Sequence, residues 1–348
     1  MEDIKYMRRC FELAQKGMGN VAPNPMVGAV IVHNGEIIGE GYHMKWGGPH
    51  AEVNAIASVK DHSLLKESKI YVSLEPCSHY GKTPPCAKLI IEKGIPEVII
   101  ANVDPFPEVA GRGIKMLETA GVKVKTGILE EEGWIVNRRF FTFHQKKRPF
   151  IILKWAQSED GFMDTERSEK EPAYHFSNED TRRIVHQMRA DESAILVGTK
   201  TALMDNPSLT VRYVAGNNPT RILIDRTLKV PFGYNIYNEE AQTIVFTESN
   251  TDFKAPHVEF VHADFRDGKI SISNILEELY KRNLQSLIVE GGSALLHSFI
   301  ESDLWDEMQV EIVNGLRLGK GVFAPASQGE VYETLEIDQH TIVRSIKR

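Results

Sequence analysis

Apolar residues recur at helical spacing over residues 2–17, where Ile4, Met7, Phe11 and Ala14 share one face of a predicted helix. The period then shortens to that of strands. Val27 to Val32 reads as a strand, Asn34-Gly35 as a hairpin turn, and Glu36 to Gly41 as the returning strand. A helix is expected to begin near His50, a strand at 70–74, and a helix from Cys86 to Lys93, whose first turn is set by Pro84-Pro85. A strand at 97–101, a helix at 113–120, a strand at 122–125 and a long helix at 130–146 follow. Pro149 cannot continue that helix. Phe150-Ile151-Ile152-Leu153 opens a new series of apolar runs. Strands are expected at 150–155, 193–198, 221–225, 243–247, 258–262, 286–290 and 307–313, with helices at 178–190, 272–282 and 292–300. Continuous apolar runs such as Ala194-Ile195-Leu196-Val197 suit a mainly parallel sheet covered on both faces. The reading is α/β throughout, in two domains, 1–147 and 148–348; 348 residues is long for one.

Composition narrows the class. No apolar run approaches the ~18–20 residues of a membrane-spanning helix, and the charged start Met1-Glu2-Asp3-Ile4-Lys5 is unlike a signal peptide. Three cysteines in so long a chain make no disulfide framework, so reduced thiols and a cytoplasmic location are expected. Cys10 falls on the apolar side of the first helix. Residues 1–148 hold 20 Lys and Arg against 17 Asp and Glu, a net of +3, and the rest of the chain carries −10. Neither half has the basic excess of a nucleic-acid binder. The cluster Arg138, Arg139, Lys146, Lys147 and Arg148 reads as a solvated helix face.

The chemistry concentrates between residues 50 and 86. His50-Ala51-Glu52 is followed by Glu75-Pro76-Cys77 and, after eight further residues, Cys86. One imidazole and two thiolates are three zinc ligands, and a catalytic zinc leaves its fourth position to water. His-x-Glu with a later Pro-Cys and a second cysteine is the zinc-deaminase layout, with Glu52 as the proton carrier. Zinc deaminases commonly separate their cysteines by two residues; here the spacer is stretched. The competing reading is a structural zinc closed by a fourth protein ligand, for which His79 is the local candidate. Placing both cysteines at helix starts would favour their thiolate forms. In the second half, Ile288-Val289-Glu290-Gly291-Gly292-Ser293 is a strand, glycine turn and helix start. It serves either as a phosphate cradle or as a tight turn; the full Gly-x-Gly-x-x-Gly fingerprint is absent.

Several stretches together resemble the bifunctional deaminase/reductase family of riboflavin biosynthesis. In the first half these are Asn24-Pro25-x-Val27-Gly28, Gly47-Gly48-Pro49-His50-Ala51-Glu52, and Glu75-Pro76-Cys77 continuing through Gly81-x-Thr83-Pro84-Pro85-Cys86. Asp104-Pro105 and Gly111-Arg112-Gly113-Ile114 also match, although the asparagine usual after Asp-Pro is here Phe106. In the second half the carriers are Lys154-x-Ala156-x-Ser158-x-Asp160-Gly161, the run from Val197-Gly198 through Thr201, Asp205-Asn206-Pro207, Leu209-Thr210 and Arg212, and Glu290-Gly291-Gly292.

The resemblance implies a cytidine-deaminase-like α/β/α domain at 1–147 and a dihydrofolate-reductase-like α/β domain at 148–348. It implies Zn2+ and NADPH as cofactors and a phosphorylated diaminopyrimidine as substrate. Asn24 and His43 would contact the pyrimidine or its surroundings. Ala156, Thr201 and Asp205 would lie near the nicotinamide. The turn and helix Gly292, Ser293, Ala294, Leu295, Leu296, His297 and Ser298 would hold the cofactor phosphates. Arg189 and Arg212 would grip the substrate phosphate, for which a guanidinium fork is well shaped. Leu209 and Glu290 would line the substrate pocket, and Lys154 and Asp205 would handle the proton that accompanies hydride transfer. Ala173 stands where the family has a substrate-contacting serine, and His175 where a tryptophan packs on the cofactor; an acidic insert, Glu166 to Glu171, precedes them. Two sites acting in series fit a homodimer or tetramer. The alternative is a nucleoside or tRNA deaminase with an appended nucleotide-binding domain.

Overall fold

A computed structural model describes residues 2–79, 84–106, 110–168 and 171–347. Gly81 and Thr83 of the cysteine spacer, and Glu169 and Lys170 of the acidic insert, lie outside them. The chain divides into two compact units, 1–147 and 148–348.

In the first unit the described elements are α1 (Glu2–Gln15), β1 (Gly28–His33), β2 (Glu36–Tyr42), α2 (Ala51–Ser58), β3 (Lys69–Leu74), α3 (Cys86–Lys93), β4 (Glu97–Asn102), α4 (Arg112–Thr119), β5 (Lys123–Lys125), α5 (Glu130–Val136) and α6 (Arg138–Lys146). The strands form one sheet in the order β2-β1-β3-β4-β5. β1 runs antiparallel to β2 and β3, and β3, β4 and β5 are parallel. Side chains alternate across this sheet. Ile31, Ile70 and Val72 pack against Ala55, Ile56, Ile90 and Leu117 of α2, α3 and α4. Val30, Val32 and Tyr71 pack against Met7, Cys10 and Phe11 of α1. Gly28 is what lets α1 lie so close: a Cβ there would sit 2.0 Å from the Cys10 carbonyl oxygen.

The expected helix over 130–146 is two helices. The break is at Asn137, whose φ of −106° and ψ of 21° leave the helical region, and whose side chain is tied to Met26, accepting from its amide at 2.9 Å and donating to its carbonyl at 2.8 Å. Cys86 does start a helix, but Cys77 does not; it lies in the coil after β3.

The second unit holds β6 (Phe150–Ser158), β7 (Phe162–Asp164), α7 (Glu179–Asp191), β8 (Ala194–Gly198), α8 (Thr199–Asp205), β9 (Thr220–Ile224), β10 (Thr243–Thr247), β11 (Val258–His262), β12 (Phe265–Arg266), β13 (Lys269–Ile270), α9 (Ile272–Lys281), β14 (Ser286–Val289), α10 (Ser293–Glu301), β15 (Glu307–Val313), β16 (Val322–Phe323), β17 (Glu330–Ile337) and β18 (His340–Ile346). Its main sheet has the order β11-β10-β9-β8-β14-β6-β15-β18-β17. The strands from β11 to β15 are parallel, and β18 and β17 close the edge antiparallel. Ile151, Leu153 and Trp155 of β6 face Leu276, Leu279 and Phe299 of α9 and α10. Phe150 and Ile152 face the opposite way, toward Met188 of α7.

Arg148 does not belong to a solvated helix face. Its guanidinium grips Asp306, with Nη2 donating to Oδ1 at 2.8 Å, and Asp306 also accepts from the Ile151 amide at 2.9 Å. Among the described residues no helix is long and apolar enough to cross a membrane.

Candidate active sites

In the first unit the three expected ligands converge. His50 caps α2, Cys77 follows β3 and Cys86 opens α3. The His50 Nδ1 lies 3.6 Å from the Cys77 Sγ and 3.4 Å from the Cys86 Sγ. A tetrahedral zinc with Zn–S near 2.3 Å and Zn–N near 2.0 Å separates such atoms by about 3.5 Å, so the triad fits that ion. Among the described residues these three alone form a metal-sized group; His79, the fourth ligand of a closed site, is outside it. The Cys86 amide donates to the Cys77 sulfur at 3.3 Å, which brings the start of α3 to bear on Cys77 although Cys77 is not in the helix. Hydrogen bonds from Cys86 and His50 pull the Cys77 thiol down to about 4.

Glu52 sits in the first turn of α2 and is buried. Burial, followed by the negative charge on Cys77, pushes its carboxyl up to about 7. Asn24 and His43 form one chain next to His50. Asn24 Nδ2 donates to His43 Nε2 at 3.1 Å, and His43 Nδ1 is 2.9 Å from the Pro49 carbonyl oxygen, which fixes the proton on Nδ1. Burial holds His43 below its usual range, and its ring meets that of His50 edge-on at 5.4 Å.

Sequence reasoning missed Glu75. Its buried carboxylate accepts from four backbone amides, those of Gly111 and Gly113 at 2.9 Å, Asp104 at 3.2 Å and Ile114 at 3.3 Å. It therefore caps α4 two residues before Cys77. Gly113 is required there, because a Cβ would lie 2.0 Å from the Pro76 carbonyl oxygen. The Gly-Arg-Gly at the helix start was the available signal. Phe106 packs edge-on against His144 at 5.4 Å.

In the second unit a cavity of about 1090 Å³ opens over the middle of β6 and the C-terminal ends of β8 and β14. Lys154, Glu290 and Arg189 make an ion-pair chain on its wall: Lys154 Nζ is 3.3 Å from Glu290 Oε1, and Arg189 Nη2 is 2.6 Å from Oε2. Burial alone would raise Glu290, but the two flanking cations and their hydrogen bonds outweigh it and hold the carboxyl down at about 2. Thr201 accepts from the Gly292 amide at 3.1 Å, joining α8 to the glycine turn.

Ala156, Ala173, Asp205 and Leu209 all line the cavity. The run from 292 to 298 splits by helical periodicity. Gly292, Ser293, Ala294, Leu295 and His297 line the space, whereas Leu296 is buried in the core and Ser298 turns its hydroxyl back to the Ala294 carbonyl. Arg212 and His175 are exposed and are not among the lining residues. The Arg212 amide instead donates to His186 Nδ1 at 2.9 Å. The rings facing the space are the neighbours of His175, Tyr174 and Phe176, with centroids 4.9 Å apart. Lys154 and Asp205, expected to share one task, have separate partners: Asp205 is paired with Arg167. Arg167, Tyr174, Phe176 and His186 went unassigned in the sequence. A lone arginine inside an acidic insert was the one signal among them.

A His/Cys/Cys centre beside a buried glutamate defines a zinc-dependent deaminase, carried here on one chain with an α/β unit whose cavity abuts a glycine turn. Residues 1–102 match the cytidine and deoxycytidylate deaminase zinc-binding region, and residues 149–341 match the RibD C-terminal domain. A riboflavin biosynthesis protein RibD of Actinobacillus pleuropneumoniae is 40% identical, spanning 93% of this chain and 87% of the relative. One of Aquifex aeolicus is 39% identical, over 92% and 89%. A crystal structure of a diaminohydroxyphosphoribosylaminopyrimidine deaminase/5-amino-6-(5-phosphoribosylamino)uracil reductase from Thermotoga maritima is 38% identical, with a TM-score of 0.88 over 100% of this chain and 99% of that one. The chain belongs to the RibD family, the bifunctional deaminase/reductase of riboflavin biosynthesis. Zinc serves its first activity and NADPH its second. Similarity along the whole chain displaces the alternative of a nucleoside or tRNA deaminase with an unrelated appendage.

Proposed function

We propose that the first unit deaminates 2,5-diamino-6-ribosylamino-4(3H)-pyrimidinone 5′-phosphate, and that the second reduces the ribosyl group of the product to a ribityl chain with NADPH. The carrying observation is the convergence of His50, Cys77 and Cys86 beside buried Glu52. These three residues hold the zinc, which when bound supplies a water acidified toward neutrality. Glu52 takes one proton from the attacking water and passes it to the ring nitrogen, then carries the second, from the hydroxyl now on the ring carbon, to the departing amine. A carboxyl at about 7 suits both halves of that task. Asn24 and His43 orient the pyrimidine, and their mutual hydrogen bond sets which atoms they present.

In the second unit Ala156, Thr201 and Asp205 flank the nicotinamide. Gly292, Ser293, Ala294, Leu295 and His297 cradle the cofactor phosphates; their place on the cavity wall favours them over Leu296 and Ser298. Tyr174 or Phe176, rather than His175, is the ring that packs on the cofactor. Ala173, Leu209 and Glu290 shape the substrate side. Arg189 takes the substrate phosphate from within the cavity, and Arg212 reaches it only from the exterior. Lys154, held by Glu290, donates the proton opposite the hydride. The reading extends to a cytoplasmic homo-oligomer, a dimer or tetramer, acting on a small molecule and not on nucleic acid. The near-neutral first half speaks against a nucleic-acid partner, and the three free cysteines fit a reducing compartment.

Purified protein given the phosphorylated diaminopyrimidine should bind one zinc per chain, release ammonia, and only then oxidise NADPH. Ammonia release from a tRNA stem-loop but not from this nucleotide would refute the assignment.

A further inference from the structure

The acidic insert 166–171 has an arginine turned inward. Arg167 belongs to a polar loop, yet its side chain is only 6% exposed and it lines the second unit's cavity. All three of its guanidinium nitrogens are engaged. Nε donates to Asp164 Oδ2 at 2.7 Å, Nη1 to the Glu171 carbonyl oxygen at 3.1 Å, and Nη2 to Asp205 Oδ1.

The two carboxylates come from different elements. Asp164 ends β7, which pairs with β16. That pairing is fixed by close approach: a Cβ on Gly321 would lie 2.1 Å from the Asp164 carbonyl oxygen. Asp205 ends α8. The next residue, Asn206, has φ 41°, and it ties the helix end to Asn235 through its side chain at 2.7 Å and its carbonyl at 2.8 Å. Arg167 thus spans two separately anchored walls and orients the Asp205 carboxylate between them.

We propose that Arg167 is a positioning residue for the reductase step, holding the Asp205 carboxylate in place against the cavity. This rests on the reading that the cavity is the reductase site and that Asp205 works there. A planar fork serves where a point charge would not, because it must address carboxylates on two sides and a carbonyl at once. The chain supplies its own control, since deamination is performed in the other unit.

The test is steady-state kinetics of both steps on the full-length zinc-loaded chain. Arg167→Ala should lower kcat for reduction about 10- to 100-fold, as expected when a reacting group drifts by about 1 Å. KM for the deaminated substrate should stay within about threefold, the pattern of an interaction that matters in the transition state. Ammonia release should not change. Added guanidinium ion should restore part of the lost kcat, and Arg167→Lys should restore less than the full rate. A merely structural loop contact gives neither the kcat-selective loss nor the rescue. A reductase kcat within about twofold of the parent, or a loss that guanidinium leaves untouched, overturns the proposal. Should Arg167→Ala not fold, Asp164→Asn carries the test: it removes the anchor but leaves the Arg167–Asp205 pair, and an unaltered kcat there is equally contrary. Asp205→Asn separates the two levels. If it reduces normally, the site reading itself fails. If it is crippled while Arg167→Ala is not, only the role of Arg167 falls.

Discussion

Glu52 in the first unit and Glu290 in the second are both withdrawn from water, and they answer in opposite directions. Glu52 stands beside a thiolate, and burial carries it up to about 7. Glu290 stands between Arg189 and Lys154, and the cations hold it at about 2. Desolvation favours the neutral form in each case; the partner decides whether that form wins. One carboxyl is poised to exchange protons near neutrality. The other is a permanent anion that arranges two cations at a cavity wall. The sites differ in construction as well. The first is assembled from short segments around α2, β3 and α3, whereas the second draws on residues from Lys154 to His297.

The largest break in the comparison comes from removing a ligand of the first site. Cys86→Ala should leave the protein without stoichiometric zinc by metal analysis. Ammonia release should fall at least about 10,000-fold, the upper end of what acid–base assistance alone supplies. Reduction of the pre-deaminated substrate should persist. In the second site, Glu290→Gln leaves Arg189 and Lys154 without their shared anion. It should cost the second unit about 3 kcal/mol, the low end for a broken buried pair, seen as a lower denaturant midpoint for that unit alone. A midpoint equal to the parent's would mean that the ion-pair chain does not hold the wall.

Glu75→Gln tests the scaffold of the first site. It leaves one carbonyl oxygen where a carboxylate serves four amides, and it should cost about 1–3 kcal/mol together with a several-fold loss of deamination; zinc should remain bound. Thermal denaturation and the ammonia assay report the two effects, and a fully parental enzyme would remove Glu75 from the account.

The smallest effect concerns His186. Burial and the neighbouring Arg189 and Arg212 charges depress it to about 4, and its Nδ1 accepts the Arg212 amide only when unprotonated. An unfolded histidine titrates near 6.5 and so binds more protons between pH 6.5 and 4. The second unit should therefore lose stability as pH falls through that window, with the contribution intact above it. Urea midpoints at pH 7 and pH 5 should converge in His186→Gln. An undiminished slope would place the acid sensitivity elsewhere.

What could be read in advance follows the same division. His50, Glu52, Cys77 and Cys86 were legible because each motif is local and its ligand chemistry leaves few options. The helix break at Asn137 was not; the side chain there is tied to Met26, more than 100 residues away in sequence. Helix α8 is one short run that follows β8 directly, and β17 alternates only between exposed and half-buried positions, so neither had a strong period. Around residue 175, Tyr174, His175 and Phe176 are consecutive, and nothing in their order says which ring faces a cavity. Leu296 and Ser298 were included with a motif whose helical turn carries them away from it. Glu290 was recognised as pocket-lining, but its charge state is set by residues 101 and 136 positions earlier in the chain and had no local signature.

Glu52→Gln tests the central claim most directly, that one chain carries two independent chemistries with the proton carrier of the first at Glu52. Ammonia release and NADPH oxidation would be followed on the same preparation, the latter with substrate already deaminated. The account predicts loss of ammonia release by about 100-fold or more, with NADPH oxidation at the parental rate and zinc still bound. Retention of both activities, or loss of both with zinc in place and the fold intact, would contradict it.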